Sequence, residues 1–283
     1  MSAAPSEEHR EGRPAPCLRP FIARYGGSRR SGFAPREHGA TPSRHLTLIV
    51  SFGAPIEIAA MPRQRRRPGR FQAFVAGLHD APARVRDDGA SDLVHAFVTP
   101  LGARALFGVP AQALASRVVE LADLLGARAH ELVERAADAR DWSARFAILD
   151  RVLARGLASA RPAPEVGWAW RQLLGAGGRV AVTALARELG WSRRHLSERF
   201  RDELGLGPKA AARVLRFEQA CSRLAGPERP SLGEVAAACG YADQSHLTRE
   251  WVALSGATPR AWLAQELPFL QDYELEAVVD SAS

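Results

Sequence analysis

The C-terminal part of the chain contains two stretches that are rough copies of each other, LARELGWSRRHLSERF at Leu185–Phe200 and VAAACGYADQSHLTREW at Val235–Trp251. Both contain His-Leu with an aromatic side chain four residues after the leucine, and the Gly-x-x-Pro that follows the first copy recurs 51 residues later as Gly256 and Pro259. Each copy predicts a short helix, a turn at glycine and a second helix. Because such helix-turn-helix units place their second helix in the major groove of DNA, the repeat predicts a tandem DNA-reading device.

In the first unit, Thr183 is expected to cap the first helix, Gly190 permits the sharp turn, and Ser192 is expected to cap the second helix. Leu196 and Phe200 then mark the packed side of the second helix. The residues on the other side are predicted to meet DNA, with bases read by Arg194, Ser197 and Glu198 and phosphates contacted by Arg193 and Arg201.

Glu198 leaves two interpretations open. Its carboxylate can accept a hydrogen bond from N4 of a cytosine. It can equally pair with Arg194, one helical turn earlier, and orient that guanidinium. We favour the second interpretation, which leaves the base preference of the first unit undecided.

The second unit repeats this pattern with one extra residue in its turn. Ser231 and Glu234 form a capping-box pattern at the start of its first helix. Leu247, Trp251 and Leu254 are predicted to face inward on its second helix. Side chains suited to base edges are predicted to face outward, namely Ser245, Thr248 and Arg249, with Gln244 and His246 at the edges of that face.

A helix over Pro208–Leu224 is predicted to connect the two units. Arg213 and Arg216 project from it, three residues apart, and Arg213 is a candidate phosphate contact. If the connector holds the recognition helices about 34 Å apart, both can enter successive major-groove turns on one face of the DNA.

This tandem arrangement resembles the AraC/XylS family of bacterial transcription regulators. The resemblance covers roughly residues 165–263, and its strongest signature is Gly240–Arg249 followed by Gly256–Leu263. It implies that both recognition helices contact double-stranded DNA and that Arg216 supports the arrangement of the two units. The sequence departs from the family pattern at Glu198, where arginine is frequent, and at Ala211, where an aromatic residue usually packs.

The N-terminal half shows a different periodicity. Between about Pro20 and Phe107, apolar residues alternate with polar ones, and Gly, Pro and Asp clusters separate the segments. The predicted strands are Phe21–Tyr25, Leu46–Phe52, Ile56–Ile58, Phe71–Gly77 and Leu93–Val98. These predict a small β-barrel or sandwich, and His95–Pro110 is similar to the end of the cupin-like domain of one AraC-type subgroup.

After this region the period becomes helical, which predicts about three helices between Ala111 and Leu157. One apolar face is formed by Leu114, Val118, Leu121 and Leu125. The other, formed by Trp142, Phe146, Leu149 and Leu153, is a candidate dimer face, although packing on the β-rich domain is the interpretation we favour. The fold class is therefore α+β with two domains, the second an all-α domain of about seven helices.

The predicted domain boundaries follow these changes in pattern. Residues 1–16 are predicted to be a disordered tail rather than a signal peptide, 17–157 the β-rich sensor or dimerisation domain and 158–164 a linker. Residues 165–267 form the predicted DNA-binding domain, and 268–283 an acidic tail. No membrane span is expected, because no apolar stretch approaches about 18 residues.

Charge and cysteine content narrow the function further. The formal net charge is +7 and the pI about 10.2, which favours a polyanionic partner. Three scattered cysteines without CxxC spacing predict neither a disulfide framework nor a cysteine-rich zinc site, and they suit a reducing cytoplasm. The basic run Pro62–Arg70 is either a DNA-binding or targeting segment or, as we favour, a solvated loop.

Three classes of function compete. A transcription regulator has double-stranded DNA as its partner, and the resemblance adds RNA polymerase, a small-molecule effector and a second copy of the chain as further candidates. A DNA-alkylation repair enzyme of the Ada type needs a four-cysteine zinc site, which three dispersed cysteines cannot build. A cupin-like oxygenase needs a facial triad, and His38, His45, His79 and His95 with Glu37 lack the cupin spacing. We therefore predict a non-enzyme without cofactor or metal.

Overall fold

The computed structural model describes residues 4–62, 69–158, 163–228 and 230–270. Their N-terminal part forms two antiparallel sheets and their C-terminal part is helical, so the predicted two-part α+β fold is confirmed. The strands are β1 (Ser6–Gly12), β2 (Ile22–Ser31), β3 (Arg36–Ala40), β4 (Leu46–Ser51), β5 (Ile56–Ala60), β6 (Gly69–Phe71), β7 (Ala73–Ala76), β8 (Ala83–Asp87), β9 (Ser91–Val98) and β10 (Val118–Glu120).

The residues described form twelve helices. They are α1 (Gly102–Phe107), α2 (Ala111–Leu114), α3 (Leu121–Leu125), α4 (Ala127–Ala137), α5 (Trp142–Ala154), α6 (Pro164–Gly175), α7 (Val182–Glu188), α8 (Arg193–Leu204), α9 (Pro208–Ala225), α10 (Leu232–Ala238), α11 (Gln244–Ser255) and α12 (Pro259–Leu270). The last seven form the C-terminal domain, as predicted. None of the helices described is long and apolar enough to cross a membrane.

The strands form a six-stranded sheet in the order β1-β2-β9-β4-β7-β10 and a four-stranded sheet in the order β3-β8-β5-β6. Each of the five predicted strands overlaps an observed one. Strands β3 and β8 were missed because charged residues dominate them. The backbone ladder between them carries cross-strand ion pairs, in which Glu37 accepts hydrogen bonds from Arg84 at 2.6 Å and Arg86 at 3.2 Å.

The prediction of a disordered tail over residues 1–16 is wrong for residues 6–12. Strand β1 pairs with β2 along its whole length, from Ser6 opposite Ser31 to Gly12 opposite Tyr25. Its polar composition suits an edge strand, because one side of such a strand faces water. Glu7 pairs with Arg30 at 2.9 Å across the two strands.

The helical face predicted for Leu114, Val118, Leu121 and Leu125 is also wrong in part. Ser116 has a φ of 54°, a left-handed conformation that ends the helical path after α2. Val118–Glu120 then forms β10, which pairs with β7 at the edge of the large sheet. The intervals of four, three and four residues between these side chains fitted one helix. In the structure the four residues belong to α2, β10 and α3 in succession.

Helix α5 packs on the large sheet, which confirms the packing interpretation of its apolar stripe. Phe146 stacks on Tyr25 with ring centroids 5.6 Å apart. Glycines in the strands make room for the large rings: a Cβ at Gly12 would overlap Phe146, and one at Gly27 would overlap Trp142. The stripe is therefore buried inside the N-terminal domain.

Among the residues described, two ion pairs join the N-terminal and C-terminal domains. Glu218 on α9 accepts hydrogen bonds from the backbone N–H of Arg44 at 2.9 Å and from its Nε at 2.8 Å. Arg104 on α1 donates to both carboxylate oxygens of Glu203 on α8, at 3.2 and 3.1 Å. These contacts attach the sheet domain to the first recognition helix and to the connector.

An ion pair with a buried arginine ties α5 to the start of β9. Arg145 is 5% exposed and donates to the two carboxylate oxygens of Asp92 at 2.5 and 3.3 Å. Replacement of Asp92 by alanine leaves this guanidinium buried without its partner. We expect the free energy of unfolding to fall by about 3 kcal/mol in urea denaturation.

The matched control is Arg70→Ala, since Arg70 pairs with Glu57 at 3.3 Å but its side chain is 74% exposed. Exposed pairs are worth less than about 1 kcal/mol. Equal losses of stability in the two variants would contradict a structural role for the buried pair.

Candidate nucleic-acid interface

The first helix-turn-helix unit consists of α7, a turn at Gly190 and α8. Gly190 has a φ of 67°, a conformation that a Cβ would resist. Ser192 caps α8, as predicted, by accepting a hydrogen bond from the N–H of His195 at 3.1 Å. The cap predicted at Thr183 is wrong, because α7 begins at Val182 after Ala181, and no side chain caps it.

The second unit consists of α10, a turn at Gly240 and α11. The predicted capping box is present, since Ser231 accepts from the N–H of Glu234 at 3.3 Å and Glu234 accepts from the N–H of Ser231 at 2.8 Å. The Ser231 hydroxyl also donates to the Glu234 carboxylate at 2.7 Å, and this hydrogen bond, together with that from the Ser231 N–H, lowers the pKa of Glu234. Asp243 caps α11 by accepting from the N–H of His246 at 2.6 Å, a role that the sequence pattern did not single out.

The histidine common to both copies has a structural contact. His195 lies edge-on to Trp191 with ring centroids 4.6 Å apart, and His246 lies edge-on to Tyr241 at 5.4 Å. His246 also accepts a hydrogen bond from the N–H of Ala242 at 3.3 Å. The repeated histidine thus stabilises the turn in each unit, and this competes with the DNA contact predicted for His246.

The inward and outward faces of both recognition helices agree with the predicted ones. Leu196, Phe200 and Leu204 of α8 are buried, as are Leu247, Trp251 and Leu254 of α11. Most of the predicted DNA-contacting side chains are exposed, namely Arg193, Arg194, Glu198, Arg201, Gln244, Ser245 and Arg249. Three are half-buried, namely Ser197, His246 and Thr248.

Arg194 and Glu198 form the pair that the sequence analysis favoured. Nε of Arg194 donates to Glu198 at 2.8 Å along the exposed side of α8. A bidentate contact with guanine can use the terminal nitrogens of the same guanidinium. Glu198 therefore orients a candidate base reader.

The connector α9 holds the second recognition helix through Glu250. Arg213 donates to one oxygen of this carboxylate at 2.9 Å and Arg216 to the other at 3.1 Å. Arg216 also donates to the carbonyl of Gly178 at 3.2 Å. The supporting role implied for Arg216 has a direct physical basis here, and Arg213, which was predicted to contact phosphate, takes part in the same contact.

A cleft of about 750 Å³ lies between α8 and the first turn of α9. Its lining is strongly cationic and includes Arg193, Arg194, Arg201, Lys209 and Arg213. Asp80, from the turn between β7 and β8, lines the same cleft. Sequence reasoning missed Lys209, although it is the only lysine of the chain and stands directly after the helix-starting Pro208.

The candidate metal ligands of the sheet domain are not gathered into a site. Burial lowers the pKa of His45 to about 3 and that of His95 to about 4, with Arg24 adding to both shifts. Burial also lowers the pKa of His38 and of His79. Among the residues described, no three histidine, cysteine or carboxylate side chains lie close enough to hold a metal ion.

Residues 185–265 match a family of helix-turn-helix domains. The chain carries an AraC-type helix-turn-helix domain. The sequence matches no curated protein. The basic run at residues 63–68 and the acidic tail beyond Leu270 lie outside the residues described, whereas residues 268–270 continue α12.

Two solved structures share the fold over more than nine-tenths of the chain, and a third matches its C-terminal part. ToxT from Vibrio cholerae is 10% identical, with 92% of this chain and 98% of that chain covered and a TM-score of 0.51. An apo ToxT variant from the same organism is also 10% identical, with 93% and 97% covered and a TM-score of 0.50. The C-terminal domain of AraT, a response regulator from Geobacillus stearothermophilus, is 21% identical, with 38% and 88% covered and a TM-score of 0.34.

Glu250 offers a test of how the AraC-type domain positions α11. Replacement of Glu250 by alanine removes the acceptor of both connector arginines. We expect a loss of about 2 kcal/mol in the free energy of unfolding, since hydrogen bonds to charged groups are worth about 1.5–3 kcal/mol. Chemical denaturation of the full chain measures it.

Glu198→Ala is the matched control, because it removes a carboxylate paired with arginine on the other recognition helix, where the side chain is 49% exposed. An exposed pair four residues apart contributes about 0.3–0.5 kcal/mol. If both variants lost the same stability, Glu250 would have no special role in holding α11.

Proposed function

We propose that the chain is a sequence-specific double-stranded DNA-binding transcription regulator, in which α8 and α11 enter successive turns of the major groove. The observation that carries the proposal is the pair of capped recognition helices, each with a buried apolar face and an exposed polar face. The connector arginines support it, because they fix α11 relative to α9 through Glu250. The entry of both helices from one face of the DNA rests on the repeat of the two units.

The second unit is proposed to supply the main base readout. Arg249 suits the O6 and N7 acceptors of guanine, Gln244 suits adenine, and Ser245 and Thr248 suit either kind of base. In the first unit, Arg194 oriented by Glu198 is the proposed reader, with Ser197 beside it. Arg193, Arg201 and Lys209 are the proposed phosphate contacts, since they line one cationic cleft.

The N-terminal domain is proposed to control this binding in response to a small-molecule effector. The ion pairs at Glu218 and Glu203 would carry a change in the sheet domain to α9 and α8. Half-buried, neutral His45 and His95 flank Phe97, whose ring also lies 4.0 Å below the guanidinium of Arg24. This mixed polar and aromatic surface on the large sheet is where we propose that the effector binds.

A second copy of the chain and RNA polymerase are proposed as further partners, in keeping with a regulator. We also propose that the protein is not an enzyme and acts in the cytoplasm, as expected of a DNA-binding regulator. The buried free thiols of Cys221 and Cys239 support a reducing compartment.

Base readout by Arg249 can be tested with the DNA site obtained by selection from random duplexes. Arg249→Ala is expected to relax preference at one base pair and to cost roughly 1–3 kcal/mol of discrimination. Lys209→Ala is the matched control. It is expected to weaken binding to all DNA sequences alike and to lower by about 1 the slope of the logarithm of the DNA-binding constant against the logarithm of the salt concentration. Unchanged selectivity in the Arg249 variant would remove this residue from the readout.

Coupling between the domains can be tested by Glu218→Ala in the full chain. The substitution removes the acceptor of Ser43 and Arg44, which attaches the sheet domain to α9, and the same domain contributes Asp80 to the cationic cleft. We infer that the loosened domain moves Asp80 away from the cleft. With this carboxylate withdrawn from the phosphate path, we expect DNA affinity to rise about fivefold, as for removal of roughly 1 kcal/mol of charge repulsion.

Glu228→Ala is the control for the change in net charge, since Glu228 is exposed in the turn that follows α9. The affinities are compared in a titration with labelled duplex DNA at fixed salt. If the two variants bound DNA equally well, the sheet domain would not modulate binding through this attachment.

A further inference from the structure

An exposed valine lies on the DNA-facing side of the second recognition helix. Val252 is 41% exposed and is, among the residues described, the large apolar side chain left open to solvent. A β-branched residue also has a lower helix propensity than the polar residues that usually occupy exposed helix positions. The position therefore has a side chain that neither the core nor the helix requires.

Helix geometry places Val252 among the proposed base readers. At about 100° per residue, it lies between Thr248 and Arg249 on the helix surface and in line with Ser245, two turns earlier. Leu247, Trp251 and Leu254 occupy the opposite, buried side of α11. Val252 thus continues the readout stripe by one turn beyond Arg249.

The first unit has a different residue at the equivalent position. Because Leu196 corresponds to Leu247, the residue corresponding to Val252 is Arg201, which lines the cationic cleft. An arginine there can bind a phosphate, whereas a valine has no donor and cannot. The two recognition helices therefore end in side chains suited to different groups of the DNA.

We propose that Val252 contacts the 5-methyl group of a thymine in the major groove. The thymine methyl is the apolar group that distinguishes bases in that groove, and small apolar side chains recognise it by contact. The inference rests on the proposed function, because it needs α11 to lie in the groove. It adds a thymine preference, one turn beyond the base pair read by Arg249.

The test uses the full chain, its selected DNA site and duplexes in which each thymine of that site is replaced in turn by deoxyuridine. This replacement removes only the methyl group. For the wild-type protein, one such replacement in the half-site bound by α11 is expected to weaken binding about fourfold, the value of one buried methyl-sized group. For Val252→Ala, the same replacement is expected to change affinity by less than about 1.5-fold.

Val133→Ala is the matched control, since Val133 is a half-buried valine on α4 of the other domain. It is expected to keep the wild-type response to deoxyuridine. Thermal unfolding of each variant verifies that the proteins are folded at the temperature of the titration.

Each outcome decides the inference. Loss of the deoxyuridine effect in Val252→Ala alone supports it. Identical deoxyuridine profiles for the wild type and this variant overturn the inference but leave sequence-specific binding intact. A selected half-site that contains no thymine has the same two consequences. In either case, Val252 would be free to contact a partner protein. Failure of the wild-type chain to select any DNA sequence overturns the proposed function itself, together with the inference.

Discussion

The shared hydrogen bonding of Glu250 is the contact on which the arrangement of the two recognition helices depends. One carboxylate on α11 accepts from two guanidinium groups, those of Arg213 and Arg216, which project from the same side of α9. Arg216 also reaches the carbonyl of Gly178, in the loop before α7. A single polar cluster therefore connects the second unit, the connector and the edge of the first unit. Its side chains are largely withdrawn from water, so loss of one partner leaves charge without compensation.

The sheet domain contacts the helices of this arrangement outside the cluster. It contacts α9 through Glu218 and α8 through Glu203, both by way of arginines from the N-terminal half. These are the two helices whose ends line the cationic cleft. A displacement of the sheet domain would therefore change the electrostatics of the cleft before it changed the fold of the helix-turn-helix units.

The helical half could be predicted from the sequence more closely than the sheet half, and the reason is physical. Residues such as Ser192, Gly190 and Ser231 act through local backbone geometry, so their roles follow from short-range spacing. Strands β1, β3 and β8 pair with distant segments and carry charged cross-strand pairs, and no local pattern reports a partner 49 residues away, as for Glu37 and Arg86. The strand at Val118–Glu120 was predicted to be helical, because its apolar spacing does not show the backbone turn at Ser116 that separates it from α2.

For the candidate site, the sequence predicted which side chains are exposed better than it predicted which side chains contact each other. The outward faces of the two helices followed from helical periodicity. The pairing of Arg194 with Glu198 followed from their spacing of four residues. The pairing of Arg213 with Glu250 could not be foreseen, because it joins residues 37 positions apart on helices whose crossing the sequence does not specify. Lys209 and Asp80 meet in one cleft for the same reason, although they belong to different domains.

The two units are copies in sequence but not in chemistry. On α8, the proposed reader Arg194 is paired with Glu198 of the same helix, so a base that it bound would have to compete with or share this carboxylate. On α11, the equivalent positions hold Ser245 and Arg249, and the nearby carboxylate of Glu250 is committed to the connector. In the proposed complex, Arg249 would meet DNA without a competing acid on its own stripe, and discrimination between bases should be concentrated in the second unit. The first unit, with Arg193, Arg201 and Lys209 around one cleft, is better suited to hold the backbone and set the register in which the second unit reads.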